Sequence, residues 1–493
     1  MKREWGDPPA LAAWNATSAS AAGGARGEAR NSIFTIFILG GGQAPARPSL
    51  SPPLGGAHCR WPYVRCDSAG RVTSLTLASV NLTGPVPEAI GDLSSLTHLD
   101  VYNNSIVGVF PTALCRCRSL QYLDLSVNNI TGSIPDAIGS LSNLIHLEVS
   151  GNSIVGVFPT ALYRCRSLRY LDLSWNSIGG ELPDDIGHGL GENLRTLGLS
   201  DNELNGTIPT SLSRLRNLRH LTLDYNLFTG TIPIELGDLT HLRTLLLSNN
   251  PLNAGMMPMS FKNLTNLTML WVHECNLIGD FPSSVVWMLE LEELTLMNNS
   301  LTGSIHPGVW KLKKLQFLDV SMNNLTGDVV IGSFAAMSLM DIDVSDNNLT
   351  GVIPEVFGHL ENLTDLVLSN NRFTGTLPPE LGRHSLGLSI VVADDNELIR
   401  VIPEGLCTGG QLTWFSATGN RLNSSVPVGL AKCETLTGLY LDINQLSGEV
   451  PKALWTTGLL AFFSGAIPAD IGSGMALLHR LNLSNNNLIG RIR

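Results

Sequence analysis

The chain has 493 residues, of which 43% are hydrophobic and 15% are charged, and its net charge is −11. This composition excludes a disordered acidic tail, and the negative charge argues against nucleic acid and anionic membrane surfaces as partners while mildly favouring cationic ones. The longest candidate for a membrane span, Ile33–Leu39, is far shorter than the roughly 18–20 residues that a bilayer requires. We therefore expect no nucleic-acid partner and no membrane segment in this chain.

The first 55 residues precede the repeats. Met1 runs directly into Lys2-Arg3-Glu4-Trp5 without an apolar segment behind it, so the sequence as written predicts no secretory signal. Residues 21–55 are rich in Gly, Ala, Pro and Ser, and we interpret them as a low-complexity insertion that is disordered.

From Gly84 onward a glycine recurs at a spacing of about 24 residues nearly throughout, and the spacing is slightly longer where a loop grows. These glycines are Gly84, Gly108, Gly132, Gly156, Gly180, Gly206, Gly230, Gly255, Gly279, Gly303, Gly327, Gly351, Gly375, Gly448, Gly465 and Gly490. The full unit reads LxxLxxLxLxxNxLxGxIPxxLGxLxxL, as in Leu120–Leu144. A fixed period of this length predicts a solenoid.

Each position of the unit has a physical task. In Leu123-Asp124-Leu125 the pleat turns the leucines inward and Asp124 onto a concave sheet. The asparagine slot, filled by Asn128 here, follows the strand, where a buried amide can satisfy unpaired backbone groups. Cys275 fills this slot in one repeat, and we interpret it as such a ladder residue rather than a ligand. The predicted fold is an α/β repeat solenoid with a parallel concave β-sheet and about 17 repeats of about 24 residues.

The Gly-x-Ile-Pro segment of the unit resembles the plant-type leucine-rich-repeat ectodomains of receptor-like kinases, over essentially residues 56–493. Cys59-Arg60-Trp61-Pro62-Tyr63-Val64-Arg65-Cys66 is similar to the CxWxxVxC cap of that family. Within the family the chain looks most like the HAESA-like peptide-hormone receptors. The resemblance implies a curved superhelix.

The resemblance also divides the chain into segments. They are a partial N-terminal cap helix (1–20), the insertion (21–55), a cysteine-paired N-terminal cap (56–71) and the repeats (72–493). The interval between Gly448 and Gly465 is shorter than one repeat, so the repeats are predicted to be defective near 455–465. The sequence stops mid-repeat at Arg493, which favours a fragment or a degraded copy of a receptor.

The family cap implies a disulfide between Cys59 and Cys66 and therefore an oxidising compartment. Cys407 and Cys433 lie in adjacent repeats and either bond or remain thiols. Eight Asn-x-Ser/Thr sequons are predicted glycosylation sites, although Asn-Leu-Thr-Gly is also part of the repeat consensus. They are Asn81, Asn129, Asn205, Asn263, Asn324, Asn348, Asn362 and Asn423.

The sequence holds no HExxH, GxSxG, P-loop, HRD or DFG motif, so we expect no enzyme, cofactor or metal site. The kinase domain of full-length relatives is absent from this sequence. Aromatic side chains interleaved with carboxylates at outward positions predict a groove for an extended peptide. The predicted binding residues are Trp175, Tyr225, Trp271, His273, Glu274, Glu293, Phe317, Asp319, Asp341, Asp343, Asp365, Trp414 and Tyr440. Of these, His273 is expected to point to solvent.

In HAESA-like receptors an Arg-x-Arg pair clamps the free carboxylate of the hormone. Alignment by Cys407 and Cys433 puts that pair at Gly438 and Tyr440, which cannot form the ion pairs. Either the ligand has no such carboxylate, or this copy has lost hormone binding.

The resemblance thus implies an extracellular module that binds a secreted peptide on its concave face, with a leucine-rich-repeat co-receptor near its C-terminal end. Its location would be the outer face of the plasma membrane or the apoplast once a signal peptide is supplied. Two alternatives stay open: a non-functional truncated receptor copy, and a soluble secreted inhibitor of polygalacturonases.

Overall fold

The computed structural model of the chain describes residues 1–6, 8–14, 56–451, 454 and 480–488. It comprises two compact units, the first formed by Met1–Val155 with Arg164–Leu168 and the second by Gly156–Tyr163 with Arg169–Arg493. The insertion predicted at 21–55, the defect predicted near 455–465 and the end of the chain lie outside the described residues. Within the described ranges, no helix has the length and apolar character needed to cross a membrane.

The first unit contains a parallel sheet in which equivalent residues of neighbouring strands lie 24 positions apart. Its strands are Val72–Thr76, His98–Asp100, Tyr122–Asp124 and His146–Glu148. The cap strand Val64–Cys66 joins the first of them in antiparallel orientation. Each repeat strand contains one buried leucine, because the pleat turns every second side chain into the core.

The N-terminal residues cover the end of this unit. A disulfide joins Cys59 and Cys66, and the Trp14 ring stacks on Trp61 at a centroid distance of 5.5 Å. The Trp14 Nε1–H donates to the carbonyl oxygen of Pro62. In place of a partial cap helix, the described part of residues 1–20 contains one 3₁₀ turn, Pro9–Leu11.

The second unit repeats the same arrangement over more strands, which again pair in parallel. They are Tyr170–Asp172, Thr196–Gly198, His220–Thr222, Thr244–Leu246, Met269–Trp271, Glu293–Thr295, Phe317–Asp319, Asp341–Asp343, Asp365–Val367, Ile390–Val392, Trp414–Ser416, Gly438–Tyr440 and Arg480–Asn482. The predicted repeat solenoid with its long parallel sheet is confirmed.

The opposite side of the repeats consists of short 3₁₀ turns, because about five residues remain after the proline and 3₁₀ geometry suits such short pieces. The turns are Glu88–Asp92, Thr112–Arg116, Asp136–Ser140, Thr160–Arg164, Thr210–Arg214, Ile234–Asp238, Met259–Asn263, Ser283–Trp287, Val309–Lys311, Glu355–His359 and Val428–Lys432. One segment among the described residues, Ile186–Leu190, is α-helical.

Between the sheet and the 3₁₀ turns run further short parallel strands. In the first unit they are Thr83–Gly84, Ser105–Val109 and Asn129–Gly132. In the second unit they are Ser177–Glu181, Glu203–Thr207, Leu227–Thr229, Ile278–Asp280, Ser300–Thr302, Thr326–Asp328, Asn348–Thr350, Ile399–Arg400, Arg421–Leu422, Ser447–Gly448 and Asn487–Leu488. Gly327 lies in such a strand with a φ of 76°, the left-handed region that favours glycine.

Asparagine side chains form the predicted ladder behind the sheet. Asn347 Oδ1 accepts the backbone N–H of Leu325, and its Nδ2 donates to the carbonyl oxygens of Val320, Val344 and Ser345 at 2.9–3.2 Å. One amide thereby satisfies backbone groups that have left the strand and have no strand partner. Cys275 occupies this slot in its own repeat, where its thiol contacts the carbonyl oxygens of Leu247 and His273.

Candidate functional site

The exposed face of the sheet in the second unit carries two parallel rows of side chains. The strand register places the first residues of neighbouring strands side by side, as in Phe317, Asp341 and Asp365. Third residues form the other row, in which Trp271 is followed by Thr295 and Asp319. Neighbouring members of a row are therefore about 5 Å apart, the spacing of paired strands.

A depression of about 210 Å³ opens in these rows, and we call it the central pocket. Its walls are the side chains of Trp271 and Asp319 in one row and of Glu293, Phe317 and Asp341 in the other. The pocket forms because small Thr295 stands between large neighbours in its row. The strand spacing makes the opening between Trp271 and Asp319 about 10 Å wide, enough for one side chain of a ligand.

The end of the pocket at Trp271 is held by hydrogen bonds. Trp271 Nε1–H donates to Glu293 Oε2 at 3.3 Å, and burial raises the pKa of Glu293. His273, predicted to point to solvent, lines the pocket and is partly exposed. Its ring is half-buried, with Nδ1 at 2.9 Å from Ser248 Oγ and Nε2 at 3.0 Å from Asn249 Nδ2, because the neighbouring repeat offers both polar groups at ring height.

The other end of the pocket is a group of carboxylates. Burial, followed by the charges of Asp365, Asp343 and Asp319, raises the pKa of Asp341 to about 7. No described group donates a hydrogen bond to the Asp341 carboxylate, and Asp365 Oδ1 is buried without a partner among the described residues. Each of these two acids therefore lacks neutralisation that a cationic ligand group could supply.

Asp319 and Asp343 have a second, structural task. Oδ1 of Asp319 accepts the N–H and Oγ–H of Ser321, and Oδ1 of Asp343 accepts those of Ser345. These bonds fix the turn after the strand. They leave the other oxygen of each carboxylate for the exposed face.

The structure separates three predicted residues from the sheet face. Trp175, Tyr225 and Glu274 follow their strands at positions with φ between 53° and 56°, in a left-handed turn. Their interpretation as outward strand residues is therefore wrong, because the strand ends three residues earlier. Trp175 and Tyr225 are nevertheless 57% and 51% exposed, at the rim of the face. Thr295, an outward position by its place in the strand, is not among the predicted binding residues, although a small residue between large outward ones indicates an opening.

Trp414 and Tyr440 form a separate aromatic surface on later strands. Their ring centroids are 5.0 Å apart. The Trp414 ring lies over Gly438, where a Cβ atom would come within 2.6 Å of it. Glycine at 438 thus permits the tryptophan to lie flat on the sheet.

The first unit also exposes aromatic and acidic residues, but they satisfy one another. The rings of His98, Tyr122 and His146 stack at centroid distances of 4.3 Å. Tyr122 Oη–H donates to Asp124, and the His146 ring contacts Glu148 at 3.2 Å. This closed arrangement makes the central pocket the better candidate.

Other predicted features have clear positions. A second disulfide joins Cys407 and Cys433. Cys115, Cys117, Cys165 and Cys275 are buried thiols, and burial raises their pKa values. Within the described part of the chain, the single cluster of possible metal donors is His58 with Cys59 and Cys66, whose sulfur atoms are bonded to each other. The eight predicted glycosylation asparagines are all exposed.

Comparisons with known proteins agree with this geometry. Residues 70–130, 127–178, 192–252 and 337–381 match the model of the leucine rich repeat family. The chain contains leucine-rich repeats and folds as a leucine-rich-repeat solenoid. Its structure superposes on the Arabidopsis receptor kinase HAESA, in complex with the peptide hormone IDA and the co-receptor SERK1, with a TM-score of 0.70 and 29% identity, covering 87% of this chain and 81% of that one.

A complex of PEPR1 with AtPEP1 is similar at a TM-score of 0.71 and 28% identity, covering 87% of this chain and 64% of that one. In sequence, Receptor-like protein kinase HSL1 of Arabidopsis thaliana is 48% identical over 64 residues, which are 13% of this chain and 6% of that protein. This leucine-rich-repeat chain therefore has the fold of plant receptor-kinase ectodomains. It matches only a small part of the length of its curated relatives.

Proposed function

We propose that this leucine-rich-repeat chain is the ligand-recognition part of a plant receptor-like kinase and binds a secreted peptide on the sheet face of its second unit. The observation that carries the proposal is the central pocket, where aromatic walls meet carboxylate oxygens without hydrogen-bond partners. The peptide complexes of HAESA and PEPR1 support the same class of ligand.

The dimensions of the face define the length of the ligand. Between the strand Met269–Trp271 and the strand Gly438–Tyr440 the peptide would cross about 34 Å, at about 5 Å per strand spacing. At about 3.3 Å per residue, an extended segment of about ten residues covers this distance. One end then occupies the central pocket and the other reaches Trp414 and Tyr440.

The charges on the sheet face indicate which residues the peptide should contain. Asp341 and Asp365 favour a lysine or arginine in the middle of the peptide, because a cationic side chain stabilises the charged form of a carboxyl group whose pKa burial has raised. At the far end, Gly438 and Tyr440 themselves supply no guanidinium for a free carboxylate, although Arg480 is exposed beside Gly438 on the next strand. A neutral or ring-bearing residue suits this aromatic surface better.

By the same likeness we extend the proposal to a co-receptor near the C-terminal end and to a location on the outer face of the plasma membrane or in the apoplast. The HAESA structure contains the co-receptor SERK1, which supports this extension. Signalling would then require a kinase domain outside this sequence.

The test is selection from a random ten-residue peptide library with the purified chain, followed by calorimetry of the enriched sequences. Enriched peptides should carry a basic residue, and Trp271→Ala should weaken their binding about 30-fold, the loss of roughly 2 kcal/mol expected of a buried aromatic anchor. Trp287→Ala is the matched control, since Trp287 is exposed on a 3₁₀ turn, and it should leave the affinity unchanged.

A double-mutant cycle tests the charge assignment. Replacing the basic residue of the peptide by norleucine should weaken binding to the wild-type chain and have little effect on Asp341→Asn. Equal losses in Trp271→Ala and Trp287→Ala, or no enriched peptide at all, would contradict the proposal. Inhibition of a polygalacturonase in that case would favour the inhibitor alternative.

A further inference from the structure

The 3₁₀ side of the second unit carries an isolated apolar pair. Trp287 and Leu289 are 60% and 63% exposed, although the buried Met288 between them belongs to the core. Equivalent pairs in the neighbouring repeats are polar: Arg214 and Arg216, Asp238 and Thr240, Asn263 and Thr265, and Lys311 and Lys313. Met337 and Leu386 are exposed in the slot of Leu289 further along the unit, so the large exposed side chain that sets this repeat apart, and requires a partner, is Trp287.

The preceding repeat carries an asparagine to which a covering group could be attached. Asn263-Leu264-Thr265 is a glycosylation sequon and occupies the same positions of its repeat as Trp287-Met288-Leu289 does in the next one. The strands that follow these two segments confirm their equivalence, since Met269 pairs with Glu293. The turns Met259–Asn263 and Ser283–Trp287 are adjacent. Asn263 therefore occupies the position next to Trp287 on the adjacent turn.

The Asn263 amide is available for modification. Asn263 and Thr265 are both exposed, and no described group forms a hydrogen bond with the Asn263 side chain. The sequon three residues later differs, because Asn266 Nδ2 donates to the carbonyl oxygen of Thr240 at 2.8 Å. Of these two neighbouring sequons, Asn263 is thus the one that a transferase can reach without breaking a contact.

We propose that an N-linked glycan on Asn263 packs its first N-acetylglucosamine on Trp287 and Leu289. The C–H-rich face of a pyranose ring and the methyl group of its N-acetyl substituent are apolar and fit the flat face of an indole. The glycan removes the tryptophan from solvent and keeps this side of the solenoid from associating with other proteins. This inference is independent of the peptide proposal, because the two sites share no residue.

The test uses the full chain secreted from cells behind an added signal peptide, with glycopeptide mass spectrometry and hydroxyl-radical footprinting. Asn263 should be occupied, and oxidation of Trp287 should be severalfold slower in the wild type than in Asn263→Gln. Trimming to a single N-acetylglucosamine with an endoglycosidase should preserve the protection. Trp175, exposed in the same unit, serves as the internal standard and should be oxidised equally in all forms.

Asn362→Gln is the matched control. Asn362 is an exposed sequon asparagine three repeats further along the unit than Trp287, and its equivalent in the next repeat is Gly387. This variant should leave Trp287 protected. An unoccupied Asn263, or equal oxidation of Trp287 in the wild type and Asn263→Gln, would overturn the proposal, and a doubled mass in solution with Trp287 still protected in Asn263→Gln would assign the patch to a second copy.

Discussion

The asparagine ladder predicts a large loss of stability from a single truncation, Asn323→Ala. Asn323 Oδ1 accepts the backbone N–H of Leu301 at 3.0 Å, and its Nδ2 donates to the carbonyl oxygens of Leu296, Val320 and Ser321 at 2.9–3.1 Å. The Leu296 and Val320 oxygens also accept from Asn299 and Asn347, so they keep one partner each.

The buried N–H of Leu301 has no second acceptor in the described structure, and leaving it unsatisfied costs about 1–3 kcal/mol. With smaller losses at the three carbonyls, the total is about 3 kcal/mol. Urea denaturation should show a lower midpoint at unchanged slope, and hydrogen exchange should accelerate at the Leu301 amide. Asn324→Ala, which truncates the exposed neighbour, is the control. Equal midpoints for the two variants would refute the assignment of this free energy to the ladder.

Three further predictions concern charge, backbone strain and the second disulfide. Because the folded pKa of Asp341 is raised to about 7, the folded state binds its proton more readily than the unfolded state, so stability falls as pH rises from about 4 to about 7. Asp341→Asn should match the wild type near pH 4 and exceed it by about 1 kcal/mol or more near pH 8, and equal curves at both would contradict this sign. Val127 is exposed with a φ of 51°, which costs a β-branched residue about 1 kcal/mol, so Val127→Asn should raise the unfolding midpoint while Asn298→Val at the equivalent slot lowers it. Removing the bond between Cys407 and Cys433 by the double alanine variant should cost about 3 kcal/mol, given a sequence separation of 26, and reductant should then destabilise the variant less than the wild type, because only the bond between Cys59 and Cys66 remains.

The repeat period alone was sufficient to predict the solenoid. Leucines at alternating strand positions can be buried only if every strand shows the same face to the core, so the constant period fixes strands, turns and the asparagine slots together. Cys275 shows that the position of a residue within the repeat is sufficient to predict its role. Its position in the repeat identified it as a ladder residue, and the thiol contacts the carbonyl oxygens expected of that slot.

The site was only partly predictable, because pockets depend on which side chains from different strands become neighbours. The sequence determined the two-row pattern and the residues Trp271, Glu293, Phe317, Asp319 and Asp341. Only the tertiary structure showed that small Thr295 opens the pocket, that Ser248 and Asn249 hold His273, and that Trp175, Tyr225 and Glu274 lie in left-handed turns. These outcomes depend on contacts between residues of adjacent repeats and on backbone angles at the strand ends, neither of which one repeat specifies by itself.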